Sequence, residues 1–264
     1  MPFVTAGGRS LEHVWIGTRA RDAAAPTIVM LHEGLGSVAL WRDFPAAVHG
    51  ATGLPVLAYS RWGYGKSAPI APGPRPVDYM NPEGREVLPE LLLKLGIARP
   101  ILLGHSDGGS IALIHAGSGA GPAPLGVITM AAHLFVETVS TISIAKARVA
   151  YEEGGLRAKL ARFHDDVDGA FYSWNCTWLL PDFIRGFNIE ADVARTRCPI
   201  TAIQGTEDEY GTAKQLDAIR AKSQGRAEIV VIPKCRHSPH RDEREATLAA
   251  IQRHVARVRA AAAA

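Results

Sequence analysis

A mostly parallel β-sheet flanked by helices is the fold class this sequence predicts, with about eight strands and one helical cap insertion. Three observations carry that expectation. Short apolar runs alternate along the chain with longer segments of helical period. The runs are continuous rather than alternating, as strands covered on both faces are. Late in the chain, a stretch of over sixty residues (130–199) breaks the rhythm.

The strand candidates are residues 27–31, 55–59, 100–103, 125–130, 199–204 and 228–232, with 11–16 as an antiparallel edge strand before them. Helices are expected near 38–50, 84–95, 108–117, 212–223 and 242–259. The last is the clearest, because Leu248, Ile251, Val255 and Val258 make one apolar stripe with arginines on the other faces. Pro239 and Asp242 stand where that helix should start, which would put His240 at its opening. The alanine run after Arg259 reads as a frayed helix end or a dispensable tail. Within the long interruption, helix formers at 145–160 precede Phe171, Tyr172, Trp174, Trp178, Phe183 and Phe187. A structureless loop of that length is improbable in a compact domain. The expectation is therefore a core domain of residues 1–132 and 196–264, with 133–195 as a helical cap over the sheet edge.

Composition sets the bounds. The chain has 264 residues, 29 basic and 26 acidic, so its formal charge is +3. With 47% hydrophobic and 21% charged residues, disorder is excluded. A charge of +3 over this length leaves no nucleic-acid footprint. Cys176, Cys198 and Cys235 are too dispersed for a disulfide framework or a zinc site. No signal peptide is read at the N-terminus, and the longest apolar stretch, 123–136, is interrupted by Gly126 and His133. The expected setting is soluble, cytoplasmic and reduced, without a membrane partner.

The strand at 100–103 runs straight into Gly104-His105-Ser106-Asp107-Gly108-Gly109, and an apolar helical stretch follows. This is G-x-S-x-G in a strand–turn–helix context. A turn that sharp strains the central residue and excludes neighbouring side chains, hence the glycines. It lifts the Ser106 hydroxyl clear of the sheet edge, with a helix N-terminus behind it. A phosphate-binding loop does not fit, since no Lys-Ser/Thr pair or G-x-G-x-x-G follows. A serine hydroxyl needs an adjacent base, itself oriented by a third group. Both should lie past the C-terminal ends of late strands. There the chain offers Gly205-Thr206-Glu207-Asp208-Glu209-Tyr210 and then Lys234-Cys235-Arg236-His237-Ser238-Pro239-His240.

With those landmarks, the chain resembles an α/β-hydrolase-fold serine hydrolase of the small, capped esterase type. The resemblance also rests on Leu31-His32-Glu33-Gly34-Leu35-Gly36 and on Ser60-Arg61-Trp62-Gly63-Tyr64-Gly65-Lys66-Ser67. It implies Asp208 as the acid and His237 as the base, with Glu207 and Glu209 as rivals to the first and His240 to the second. His237 and His240 lack a third ligand at sensible spacing, so no metal is expected. An oxyanion needs two N–H donors. One is expected from Asp107, the residue after the nucleophile. The other, by the resemblance, comes from Gly34, with Leu35 as the alternative. Glu33 stands where the family usually has glycine. Two readings are open for it: a hydrogen bond that ties the loop in place, or a polar contact to substrate. Trp62, Trp174 and Trp178 are further candidates for substrate contact, or simply packing residues.

The activity implied is hydrolysis of carboxylic esters of small or medium size through an acyl-enzyme on Ser106, without a cofactor. A serine at the elbow argues against the haloalkane dehalogenase and epoxide hydrolase chemistry of related folds. Thioesterase, lactonase and carbon–carbon bond hydrolase of ring-fission products stay open as enzyme alternatives. A ligand receptor that keeps the fold is the non-enzyme alternative.

Overall fold

The computed structural model describes residues 2–18 and 25–263. The strands are β1 (Phe3–Ala6), β2 (Arg9–Ile16), β3 (Thr27–Leu31), β4 (Val56–Tyr59), β5 (Pro100–His105), β6 (Gly126–Met130), β7 (Ile200–Gly205) and β8 (Ala227–Ile232). They form one eight-stranded sheet in the order β1-β2-β4-β3-β5-β6-β7-β8. β2 pairs antiparallel with β1 and β4, and every pairing from β4 to β8 is parallel. Residues 11–16 thus lie within an antiparallel strand, but not at the edge. β1 pairs outside it, a short strand whose mostly exposed side chains give no apolar run to read.

The continuous apolar strands sort into two cores by the two-residue period of the pleat. Ile28, Met30, Val56, Ala58, Ile101 and Leu103 face one way and pack with Phe44, Val48, Ile251 and Val255. Val29, Leu31, Leu57, Leu102 and Val127 face the other, toward Leu88, Leu91, Ile111, Val193 and Ile219. Each such side chain buried from water stabilises the fold by about 1.5–3 kcal/mol before entropy is counted. Helices Phe44–Thr52 and Arg244–Ala263 therefore cover one face. Helices Leu88–Lys94, Asp107–Ser118, Glu190–Arg195 and Ala213–Lys222 cover the other.

Three helix boundaries depart from the expected ones. The first starts at Phe44, with Pro45 in its opening turn, after a separate 3-10 turn at Ala39–Trp41. The second is helical from Met80 and passes through a π-turn at Glu83–Val87. The last begins at Arg244 and continues to Ala263, because alanine is the strongest helix former. His240 does not open it. A separate short helix, Pro239–Asp242, holds His240 and stops where Glu243 leaves helical geometry.

Between β6 and β7 run helices Thr138–Glu152, Leu156–Leu160, Val167–Trp178, Pro181–Gly186 and Glu190–Arg195. A capping box of Glu137 and Ser140 starts the first, and the Asp166 side chain caps the third by accepting from Gly169 N at 2.9 Å. The fifth lies against Asp107–Ser118 so closely that a Cβ on Gly117 would meet Asp192 O at 2.2 Å. Among the described residues, no helix is long and apolar enough to cross a membrane.

Where β5 meets helix Asp107–Ser118, Ser106 has φ 51° and ψ −119°, strained for a residue with a side chain. Its amide donates to Met130 O of β6 at 2.8 Å, which pins the turn to the sheet. The helix then runs against the end of β3, and a Cβ on Gly108 would meet Leu31 O at 2.1 Å. Alanine is favoured over glycine inside a helix by about 1 kcal/mol. Backbone against backbone has no rotamer to yield, and overpacking costs about 1–3 kcal/mol or more. With backbone at 2.1 Å the cost lies at the top of that range or above, so Gly108→Ala should lower stability by about 2 kcal/mol or more, read as a fall in the urea midpoint. An unchanged midpoint would mean the helix does not press on β3.

Candidate functional site

Three chain segments meet above the C-terminal end of β5. His237, in the loop after β8, places Nε2 3.0 Å from Ser106 Oγ. Its Nδ1 lies 2.8 Å from Asp208 Oδ1, in the turn after β7. The carboxylate only accepts, so Nδ1 carries the proton and Nε2 is left to take one from the serine. Asp208 is itself fixed by its own turn. Oδ1 accepts from the amides of Tyr210 at 2.9 Å and Gly211 at 3.2 Å, and Oδ2 from Gln204 Nε2 at 3.1 Å. The two loops are stitched together by Glu207 N on Cys235 O and Lys234 N on Thr206 Oγ1, both at 2.9 Å.

The electrostatics follow from that geometry. Burial works against a charged ring at His237, but the charge and hydrogen bond of Asp208 outweigh it and raise the ring above its ordinary 6.5. Burial would raise the Asp208 carboxyl, yet His237 and the Tyr210 amide hold it below its usual value. The rival carboxylates are placed elsewhere. Glu209 accepts the backbone N–H of His237 at 3.1 Å and a guanidinium N–H of Arg236 at 3.0 Å, so it holds the backbone and not the imidazole. Glu207 is exposed. The His240 ring packs between Trp41 and Phe44, with centroids 5.0 and 5.2 Å away.

Gly34 and Asp107 line the same cavity as Ser106, whose volume is about 270 Å³. The Asp107 amide opens a helix and so has no acceptor within it. Gly34 sits directly beneath Trp174, where a Cβ would meet Nε1 at 2.1 Å, which is why this position takes no side chain. The loop that carries it is held from below. His32 Nδ1 donates to Glu33 O at 2.6 Å and Nε2 accepts from Arg61 N at 3.0 Å. Arg61, fully buried, donates from Nη2 to Glu33 O at 2.9 Å and lies 3.8 Å from Asp107 Oδ2.

Trp174 and Trp178 both line the cavity, at 6% and 1% exposure. Trp178 is held by a chain of hydrogen bonds that ends at Asp107, beside Ser106. Its Nε1 donates to Tyr79 Oη at 3.3 Å, and Tyr79 Oη donates to Asp107 Oδ2 at 2.6 Å. Burial raises the Asp107 carboxyl, while Arg61 and the Tyr79 hydrogen bond oppose the rise. Trp62 is not at this site. Its Nε1 donates to Pro69 O at 3.0 Å, Arg9 stacks 4.5 Å from its ring, and it lines a separate cavity of about 560 Å³.

The Glu33 side chain turns toward His105 and lies 3.3 Å from Nδ1, while His105 Nε2 donates to His237 O at 2.7 Å. The carboxylate also fills the space where a Gly36 side chain would be. Burial opposes its ionisation, but the hydrogen bond and charge of His105 outweigh that and hold the carboxyl well below its usual range. Arg61, Tyr79 and His105 were not among the sequence candidates. Arg61 and His105 stand inside the motifs that were read, but no spacing rule announces what they touch. Among the described residues, no group of three or more His, Cys, Asp or Glu could hold a metal ion.

Residues 28–251 match the alpha/beta hydrolase family, and the chain belongs to that family. A search of curated proteins returns no match. Among solved structures, the chain is similar to the enol-lactonase from Burkholderia xenovorans LB400, with TM-score 0.74 and 20% identity over 97% of this chain and 100% of that one. It is also similar to an esterase from Exiguobacterium antarcticum, with TM-score 0.73 and 19% identity over 96% and 98% of the two chains. At such identities the likeness is one of fold.

Removing the Glu33 carboxylate leaves a buried His105 nitrogen unpaired, which costs about 1–3 kcal/mol. Glu33→Ala should lower the unfolding free energy by that amount in urea titration, and Glu33→Gln by less, since its amide still offers a hydrogen-bonding atom. Equal stability of Glu33→Ala and the unsubstituted protein would show that the contact is inert.

Proposed function

We propose that this protein is a serine hydrolase that cleaves carboxylic esters of small or medium size through an acyl-enzyme on Ser106. The observation that carries the reading is the continuous chain from Ser106 Oγ to His237 Nε2 at 3.0 Å and from His237 Nδ1 to Asp208 at 2.8 Å. These are hydrogen-bonding distances for a nucleophile, a base and an orienting acid.

In the first half-reaction His237 Nε2 takes the hydroxyl proton as Ser106 Oγ bonds to the ester carbonyl carbon. Asp208 holds the Nδ1–H tautomer and stabilises the imidazolium. The amides of Gly34 and Asp107 donate to the oxyanion, and the helix N-terminus at Asp107 adds to their field. The tetrahedral intermediate collapses, the alcohol leaves with the proton from His237, and Ser106 keeps the acyl group. Water then gives a proton to His237, its oxygen attacks the acyl carbon, and the proton returns to Ser106 as the acid departs. The cavity of about 270 Å³ and its Trp174 and Trp178 walls support a compact substrate with an apolar part.

With p-nitrophenyl esters of rising chain length, Ser106→Ala should lower kcat/KM by roughly 10⁴-fold or more. A loss of less than tenfold would remove the serine from the reaction. Only neutral His237 can accept the proton, and its value is raised above 6.5. The acid limb of kcat/KM should therefore fall at a pH above 6.5. In Asp208→Asn, which removes the raising charge, the residual activity should show that limb at lower pH. A limb that stays in place would mean another group sets it.

A further inference from the structure

The loop after β6 brings a histidine to the cavity that the proposed reaction does not use. His133 is 2% exposed and its ring lines the space above Ser106. Its position is rigid. His133 N donates to Ser110 Oγ at 3.2 Å, and that hydroxyl donates to His133 O at 2.6 Å. The next amide, Leu134 N, donates to Gln215 Oε1 at 2.7 Å. The ring meets Trp178 edge to face at 5.1 Å and lies 5.7 Å, centroid to centroid, from His237.

Three other buried histidines of this chain have both ring nitrogens engaged, whereas His240 Nδ1 and His254 Nε2 are buried without a partner but their residues do not line this cavity. His32 is paired with Glu33 O and Arg61 N. His115 is paired with Gly84 O and Pro122 O, and His164 with Gly65 N and Leu35 O. His133 differs. Its Nδ1 is buried without a partner, and among the described residues no protein group takes Nε2. Burial, with His237 beside it, pushes the ring down to about 3 against the opposing pull of Asp208 and Glu137, so it is neutral at physiological pH and carries one proton. A sealed lone pair is better tolerated than a sealed N–H, which places the proton on Nε2, at the edge left to the cavity. An unpaired donor held on a rigid loop beside the reacting groups is a recognition element in search of an acceptor. A plain methylene chain packed there would leave it unsatisfied, and such a mismatch is what lets a polar pocket discriminate.

We propose that His133 is a specificity-determining residue whose Nε2–H binds an oxygen acceptor a few bonds from the scissile carbonyl. The preferred substrates are then esters bearing an ether, keto or hydroxyl oxygen rather than plain alkyl esters. This rests on the ester-hydrolase reading above. The acceptor belongs either to the acyl chain or to the alcohol, and the test separates the two.

Two pairs of near-isosteric esters serve: methoxyacetyl against butanoyl on a common alcohol, and methoxyethyl against butyl on a common acid. kcat/KM is measured for the unsubstituted protein, His133→Phe and His133→Asn. The unsubstituted protein should prefer the oxygenated member of one pair by about tenfold, and that pair identifies the side. His133→Phe should bring the ratio to about one, while His133→Asn, which keeps an N–H, should retain part of it. Each ratio is taken within one enzyme preparation, so partial unfolding of a variant scales both rates alike. A ratio near one in the unsubstituted protein, or one unchanged in His133→Phe, overturns the proposal. Failure to cleave any of the four esters by folded protein is a different result, which overturns the ester-hydrolase reading and this inference with it.

Discussion

Ser106 is held with φ at 51°, a backbone geometry that costs a residue with a side chain roughly 1–3 kcal/mol. The surrounding packing makes any other geometry worse. Its amide is taken by Met130 O, and its carbonyl accepts from Gly109 N and Ser110 N at 2.8 and 3.1 Å. A Cβ on Gly104 would strike Gly108 O at 2.3 Å, so strand and helix meet with nothing between them. The strain sets the direction of the hydroxyl, and that direction sets where a hydrogen-bonding partner has to stand. The ends of β7 and β8 bring Asp208 and His237 to that place.

The second constraint is a set of polar groups in the interior. Arg61 and Asp107, both fully buried, would each be costly alone, because a charge taken out of water needs a partner. Together they tie the Gly34 loop, the first turn of helix Asp107–Ser118 and, through Tyr79, the Trp178 wall. The apolar side of the cavity is thus positioned from Asp107, the residue that follows Ser106 and lines the same cavity. On the other flank, Glu33 and His105 reach the His237 carbonyl. The imidazole stands between Asp208 on its edge and this pair at its backbone.

The central strands were legible to within a residue or two, since parallel strands covered on both faces leave continuous apolar runs. β1 was not, because a short, half-exposed edge strand leaves no such run. The turn at 104–108 and the loop after β7 were legible because glycine and polar residues close those strands, and the loop after β8 because polar residues with His237 follow the last apolar run. Trp62 stayed open between substrate contact and packing because a motif names a residue without saying which way its loop turns it, and here it turns toward Arg9. Arg61, Tyr79, His105 and His133 went unread for one reason. Their roles exist only through contacts far apart in the chain, such as the pairing of His105 with His237, 132 positions on. Local periodicity holds no trace of a pairing at that separation.

The account stands on the approach of His237 to Ser106, and covalent trapping tests it most directly. The protein is treated with an activated alkyl phosphonate, and the adduct is located and its rate followed by peptide mass spectrometry. A single adduct on the peptide carrying Ser106 is predicted, forming roughly 10³-fold more slowly in His237→Ala, because the hydroxyl is a poor nucleophile without its base. Labelling spread over other hydroxyls, or an undiminished rate in His237→Ala, would contradict it.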